Sequence, residues 1–133
     1  MVLDKLKLIE ASTLETNFRM TDKPQGEGSL EVTFGKLNFE SGGNISGEEG
    51  RSAIVISAEP KVVGVDKFDG KEAFSLRIKI KMIYSYPSEE KVDEATIREC
   101  SWYFSSFTKT YFKIFADQIF QQAGITGIAL PLN

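Results

Sequence analysis

A chain of 133 residues is long enough for one domain with a real core and too short for two, so a single domain over 1–133 is expected. Its 16 basic and 19 acidic residues leave a net charge of −3, which gives no overall basic field to hold a nucleic acid by counterion release. The absence of histidine and the single cysteine, Cys100, remove the usual zinc sites, Ser-His-Asp and Cys-His catalysis, and any intrachain disulfide.

The N-terminus, Met1 to Leu8, interleaves charge with apolar residues and lacks the continuous apolar core of a signal peptide. No window approaches the roughly 18 apolar residues of a membrane span. A reducing, cytoplasmic location without membrane insertion is therefore expected. Leu6 to Met20 reads as extended, with a change of face near Glu10–Thr13. A loop at Thr21–Gly28 follows, carrying Pro24 and glycine.

Leu30, Val32 and Phe34 alternate in one register and Leu37 and Phe39 in the other, with a bulge expected at Gly35 to reconcile them. Ser41–Gly50 has too little apolar content to order itself and reads as a mobile hairpin tip. Ala53–Val65 is a strand in which Pro60 and Gly64 argue for an edge position or a bulge. The turn signal Asp69-Gly70 joins it as a hairpin to the clearest element in the chain. In that element Phe74, Leu76, Ile78, Ile80, Met82, Tyr84 and Tyr86 point one way, and Ser75, Arg77, Lys79, Lys81 and Ser85 the other. One wet face favours an antiparallel sheet.

The stretch Asp93 to Phe107 supports two readings equally. Ile97, Cys100, Phe104, Phe107 and Tyr111 make a helical stripe, while Cys100, Trp102 and Phe104 alternate as in a strand. From Phe107 to Ala123 the pattern is helical. Lys109, Lys113, Asp117 and Gln121 form a narrow polar ridge, and the apolar residues spread over roughly 200° at about 100° per residue. A helix covering one sheet needs an apolar stripe of about 100° or slightly more. Cover on two sides is therefore expected, with Phe107, Tyr111, Ile114, Phe115 and Ile119 as candidates for a subunit interface. Gly124 fits a left-handed C-cap, and the apolar tail through Asn133 must be covered.

Candidate chemistry is thin. Cys100 has no histidine to serve as its base and reads as a buried thiol. The carboxylate pairs Glu48-Glu49, Glu89-Glu90 and Asp93-Glu94 lie in hydrophilic loops and read as solvated charge. The glycine-rich run Gly42–Gly47 lacks the Gly-Lys-Ser/Thr ending of a phosphate loop. Neither a catalytic residue, a cofactor nor a metal is expected. Arg77, Lys79 and Lys81 read as the solvated face of a strand, an acidic partner being the other reading. The aromatic surplus of ten Phe, four Tyr and one Trp points instead to an interface, or to a groove for apolar peptide segments.

Two local motifs, in this order of elements, resemble the SecB export-chaperone family. Leu76-Arg77-Ile78-Lys79-Ile80-Lys81 is similar to that family's third strand. Tyr111 through Gly124, then Leu130-Pro131-Leu132-Asn133, resembles its long helix, glycine stop and following segment. The resemblance implies an α+β fold: an antiparallel sheet of four or five strands followed by one long helix in the C-terminal half, with a strand at Ala95–Phe104. It implies no catalytic residue, and a homodimer with a continuous sheet or a homotetramer with packed helix layers. Non-native polypeptide would bind along apolar grooves, for export or to protect an antitoxin, with groove candidates Phe74, Ile78, Ile80, Tyr84, Trp102, Phe104, Phe112 and Phe115. Two departures weaken the link to the SecA motor: the chain stops at Asn133 without the further helix and tail of export members, and its best strand faces outward with basic rather than acidic residues. The alternative from a different class is a structural or adaptor protein, for instance of phage origin, that binds one folded partner.

Overall fold

The alternating stretch Phe74 to Tyr86 becomes the spine of the structure. The computed structural model describes residues 2–21, 28–45, 48–67 and 70–125. After a 3₁₀ turn at Val2–Lys5 the chain runs through β1 (Lys7–Met20), β2 (Gly28–Thr33), β3 (Asn38–Ile45), β4 (Glu48–Ala58), β5 (Lys61–Asp66), β6 (Glu72–Pro87), α1 (Glu94–Glu99) and α2 (Ser101–Gln122). All strands join one antiparallel sheet in the order β2-β5-β6-β4-β3, and β1 takes the other edge of β6.

The sheet is only four ribbons wide. β4 and β5 lie end to end along one edge of β6, from Arg51↔Pro87 to Ala58↔Ile80 and from Lys61↔Arg77 to Val65↔Glu72. β2 and β3 lie end to end beside them. Two ribbons are thus interrupted, at residues 34–37 and at Glu59–Pro60, which is why six strands stand where four or five were expected. Gly35, at φ 68°, supplies the left-handed backbone that the first break needs.

Pro60 and Gly64 do not mark an edge. β5 is paired on both sides, by β2 and β6, and Pro60 is accommodated because it falls in the break, where its carbonyl accepts from the Ile78 N–H at 3.1 Å. The bulge reading does apply to Gly64, where the register shifts before Val65. The Phe74 ring lies directly against the Gly64 backbone opposite it, a close approach that only glycine permits. The expected hairpin is present, closed by the Gly70 N–H to the Asp66 carbonyl at 3.0 Å. The change of face in β1 appears as register shifts between Leu8 and Glu10 and between Thr13 and Glu15. The expected loop Ser41–Gly50 is largely strand: β3 continues to Ile45 and β4 begins at Glu48. Residues 22–27 of the other expected loop, and the tail from Thr126, lie outside the described residues.

One face of β6 is buried as its period requires: Leu76, Ile78, Ile80 and Met82 are at 0% exposure. Ser85, expected to be wet, is also at 0%. Arg51 covers it, donating from Nε to Ser85 Oγ at 3.0 Å and from Nη2 to the Ser85 carbonyl at 3.1 Å.

The stretch 94–104 is helical, and the strand at Ala95–Phe104 is overturned. Asp93 caps α1, accepting from the Thr96 N–H at 2.9 Å and from its hydroxyl at 2.8 Å. Ile97, Cys100 and Phe104, at i, i+3 and i+7, then share one buried face. The strand reading required Trp102 in the core with Cys100 and Phe104, and Trp102 is 61% exposed. Hydrogen bonds from the Asp93 carboxyl's partner Thr96, first its backbone N–H and then its hydroxyl, hold that carboxyl below its ordinary value.

The C-terminus of α2 follows its sequence signal. Gly124 has φ 76°. Its N–H donates to the Gln121 carbonyl at 3.2 Å and the Ile125 N–H to the Phe120 carbonyl at 2.9 Å, the pair of bonds that defines a Schellman motif. Ile125 is buried at 5% beside this cap. Among the described residues no helix is long and apolar enough to cross a membrane.

Candidate functional site

Helix α2 carries aromatic residues on more of its circumference than the sheet can cover. Phe104, Thr108, Phe112, Ala116 and Phe120 recur every four residues and are buried against the sheet. Ring pairs lock this face: Phe104 against Phe39 at 6.0 Å, Phe112 against Phe34 at 6.0 Å and Phe120 against Phe74 at 5.3 Å between centroids. Thr108 is tolerated there because its hydroxyl donates to the Phe104 carbonyl at 2.9 Å.

A second row, Tyr103, Phe107, Tyr111, Phe115 and Ile119, borders the first and is only partly buried. Its rings run as a ladder, Tyr103 to Phe107 at 4.9 Å, Phe107 to Tyr111 at 6.4 Å and Tyr111 to Phe115 at 6.0 Å. Phe107 also meets Tyr84 at 6.2 Å, and Tyr84 pairs laterally with Leu8 of β1, so the ladder looks towards β1. The helix does not cover β1: Thr13 and Thr16, which share the buried side through their partners Ile80 and Ile78, are themselves exposed. Ile114, at 45%, is exposed next to the ladder.

The expected groove residues divide accordingly. Phe74, Ile78, Ile80, Tyr84, Phe104 and Phe112 are buried between sheet and helix, while Phe115 is half-buried and Trp102 is outside. Burial pushes the Tyr84 phenol above its ordinary range, with Tyr103 and Tyr111 adding to the effect. Its hydroxyl meets Met82 Sδ at 3.9 Å. Cys100 is buried as expected, and burial raises its thiol pKa. Of the interface candidates, Phe107, Tyr111, Phe115 and Ile119 lie in the half-open ladder and Ile114 beside it.

A cleft of about 620 Å³ separates α1 from β3. Leu37, Phe39 and Ile97 give it an apolar lining, and Lys36, Glu94 and Arg98 are its charged residues. β3 pairs with β4 alone, so its outer edge offers backbone groups to an extended chain. Sequence reasoning noted Leu37, Phe39 and Ile97 separately. Their meeting depends on 94–99 being helix.

No family model and no curated protein matches the chain. Among solved structures it is similar to the Mycobacterium tuberculosis SecB-like chaperone Rv1957, solved in complex with a ChAD peptide from the Rv1956 HigA1 antitoxin. The TM-score is 0.69 at 9% identity, over 97% of this chain and 91% of that one. A protein of unknown function from Streptococcus agalactiae also aligns, with a TM-score of 0.45 at 11% identity over 96% of this chain and 97% of that one. An antiparallel sheet closed by β1 on β6, with a long helix laid on one face, is common to this chain and the chaperone: the chain has the SecB-like fold.

Proposed function

We propose that the chain is a non-enzymatic holdase that binds apolar stretches of non-native polypeptide in the cytoplasm, working as a homodimer or homotetramer. The observation that carries this reading is the ladder Tyr103, Phe107, Tyr111, Phe115 and Ile119, an apolar flank that the subunit's own sheet leaves half open. The cleft between α1 and the free edge of β3 supports it, since it joins apolar lining to unpaired strand backbone. The SecB-like chaperone of the same fold was solved holding an antitoxin peptide, so antitoxin-type segments are the first clients to try, ahead of export substrates.

Self-association is assigned to the outer edge of β1 and to the ladder. Ile9 and Leu14, at the two register shifts of β1, are 41% and 54% exposed, which suits an edge meant to be covered. The test is light scattering of a client diluted from denaturant, with and without the protein. Suppressed aggregation at a stoichiometric ratio is expected. No suppression, together with capture of a single folded partner, overturns the holdase reading in favour of an adaptor.

A further inference from the structure

The face of the sheet away from α2 is not neutral. By register it presents Lys61, Arg77, Lys79 and Lys81, each flanked along its strand by inward-facing residues. Lys61 and Arg77 stand directly opposite one another, a like-charge cross-strand pair that costs stability. The chain's own acids compensate weakly: Arg77 reaches Glu15 and Lys79 reaches Glu59, each only at 3.8 Å, with all four side chains well exposed. Among the described residues Lys36, Lys61 and Lys81 form no ion pair. Five cations therefore face two loosely held carboxylates on a protein whose net charge is −3.

The two ribbon breaks meet on this face. A Cβ on Gly35 would lie 4.0 Å from the Glu59 carbonyl oxygen, and beside that point a cleft of about 350 Å³ is lined by Lys36, Asn38, Ser57, Glu59 and Lys79 among others. Two ammonium groups, an amide and a hydroxyl around one small cavity are donors suited to a carboxylate.

We propose that this face docks an acidic polypeptide segment, one carboxylate of which enters the cleft between Lys36 and Lys79, displacing Glu59, while the acids beside it lie along Lys61, Arg77 and Lys81. The acidic balance of the remaining surface repels such a segment elsewhere and confines it to this face. The site is on the opposite side of the sheet from the ladder, so its occupancy is independent of client binding.

Fluorescence anisotropy of a labelled octaglutamate peptide tests the proposal. Saturable binding at low salt that weakens as salt rises is expected. The double variant Lys36→Glu/Lys79→Glu should weaken it by about tenfold or more, and Lys91→Glu, away from the face, should change it by less than about twofold. Should the charge reversals prevent folding, Lys36→Gln/Lys79→Gln is read in the same way. Both site variants should still suppress client aggregation as the wild type does, which separates this face from the holdase surface. Absence of saturable binding, equal affinity for octalysine, or an affinity indifferent to Lys36 and Lys79 overturns the proposal, as does tighter binding of a single-stranded oligonucleotide than of octaglutamate.

Discussion

The two aromatic rows of α2 are built from the same residue types on the same helix, yet they end in different environments. Phe104, Phe112 and Phe120 each meet a ring from the sheet, and Ala116 and Thr108 between them let the backbone approach. Tyr103, Phe107, Tyr111 and Phe115 mainly meet one another along the helix. A ring held by a different element contributes to tertiary stability. Rings stacked along their own helix leave most of their apolar area available to something else.

That contrast can be broken first at its buried side. Phe112→Ala should cost about 3–5 kcal/mol, read from urea unfolding, because it empties a site at 1% exposure facing Phe34. Gly64→Val should cost about 1–3 kcal/mol by the same measurement, since the new side chain must push the Phe74 ring from its seat against Phe120. Phe115→Glu reads the other row. It should change the stability of a lone subunit by less than about 1 kcal/mol while dissociating the oligomer in sedimentation; a wild type that sediments as a compact monomer refutes the assembly.

The smallest effect belongs to α1. Hydrogen bonds from Thr96 depress the Asp93 carboxyl, so its contribution is complete above the ordinary aspartate range and is lost as pH falls through the depressed value. Asp93→Ala should remove that acid-side loss and fray α1 at neutral pH, visible in amide exchange of 94–99, with little change in α2.

Much of this architecture was legible because its signals are local. The period of β6 placed Leu76 to Met82 inward residue by residue, and Gly124 marked the end of α2. What failed depended on distant partners. Cys100, Trp102 and Phe104 fit a strand as well as a helix until the sheet shows that only Ile97, Cys100 and Phe104 are wanted inside. Ser85 reads as a wet residue because nothing near it in sequence announces Arg51. Pro60 suggested an edge because the companion break at 34–37, which leaves room for it, lies on another ribbon. The aromatic surplus was visible from composition, whereas its division into a locked row and an open row required the tilt of α2 over β6.

The pairing of β1 with β6 has a kinetic meaning. Lys7 finds its partner in Ser85 and Met20 in Phe74, so the first strand synthesised is closed by the last. Contacts this far apart in sequence slow folding. During synthesis β1, with its exposed Ile9 and Leu14, must wait for the β5–β6 hairpin to emerge. A nascent subunit thus passes through an interval in which it displays an unpaired edge and apolar side chains, and in that interval it is itself the kind of chain a holdase would protect.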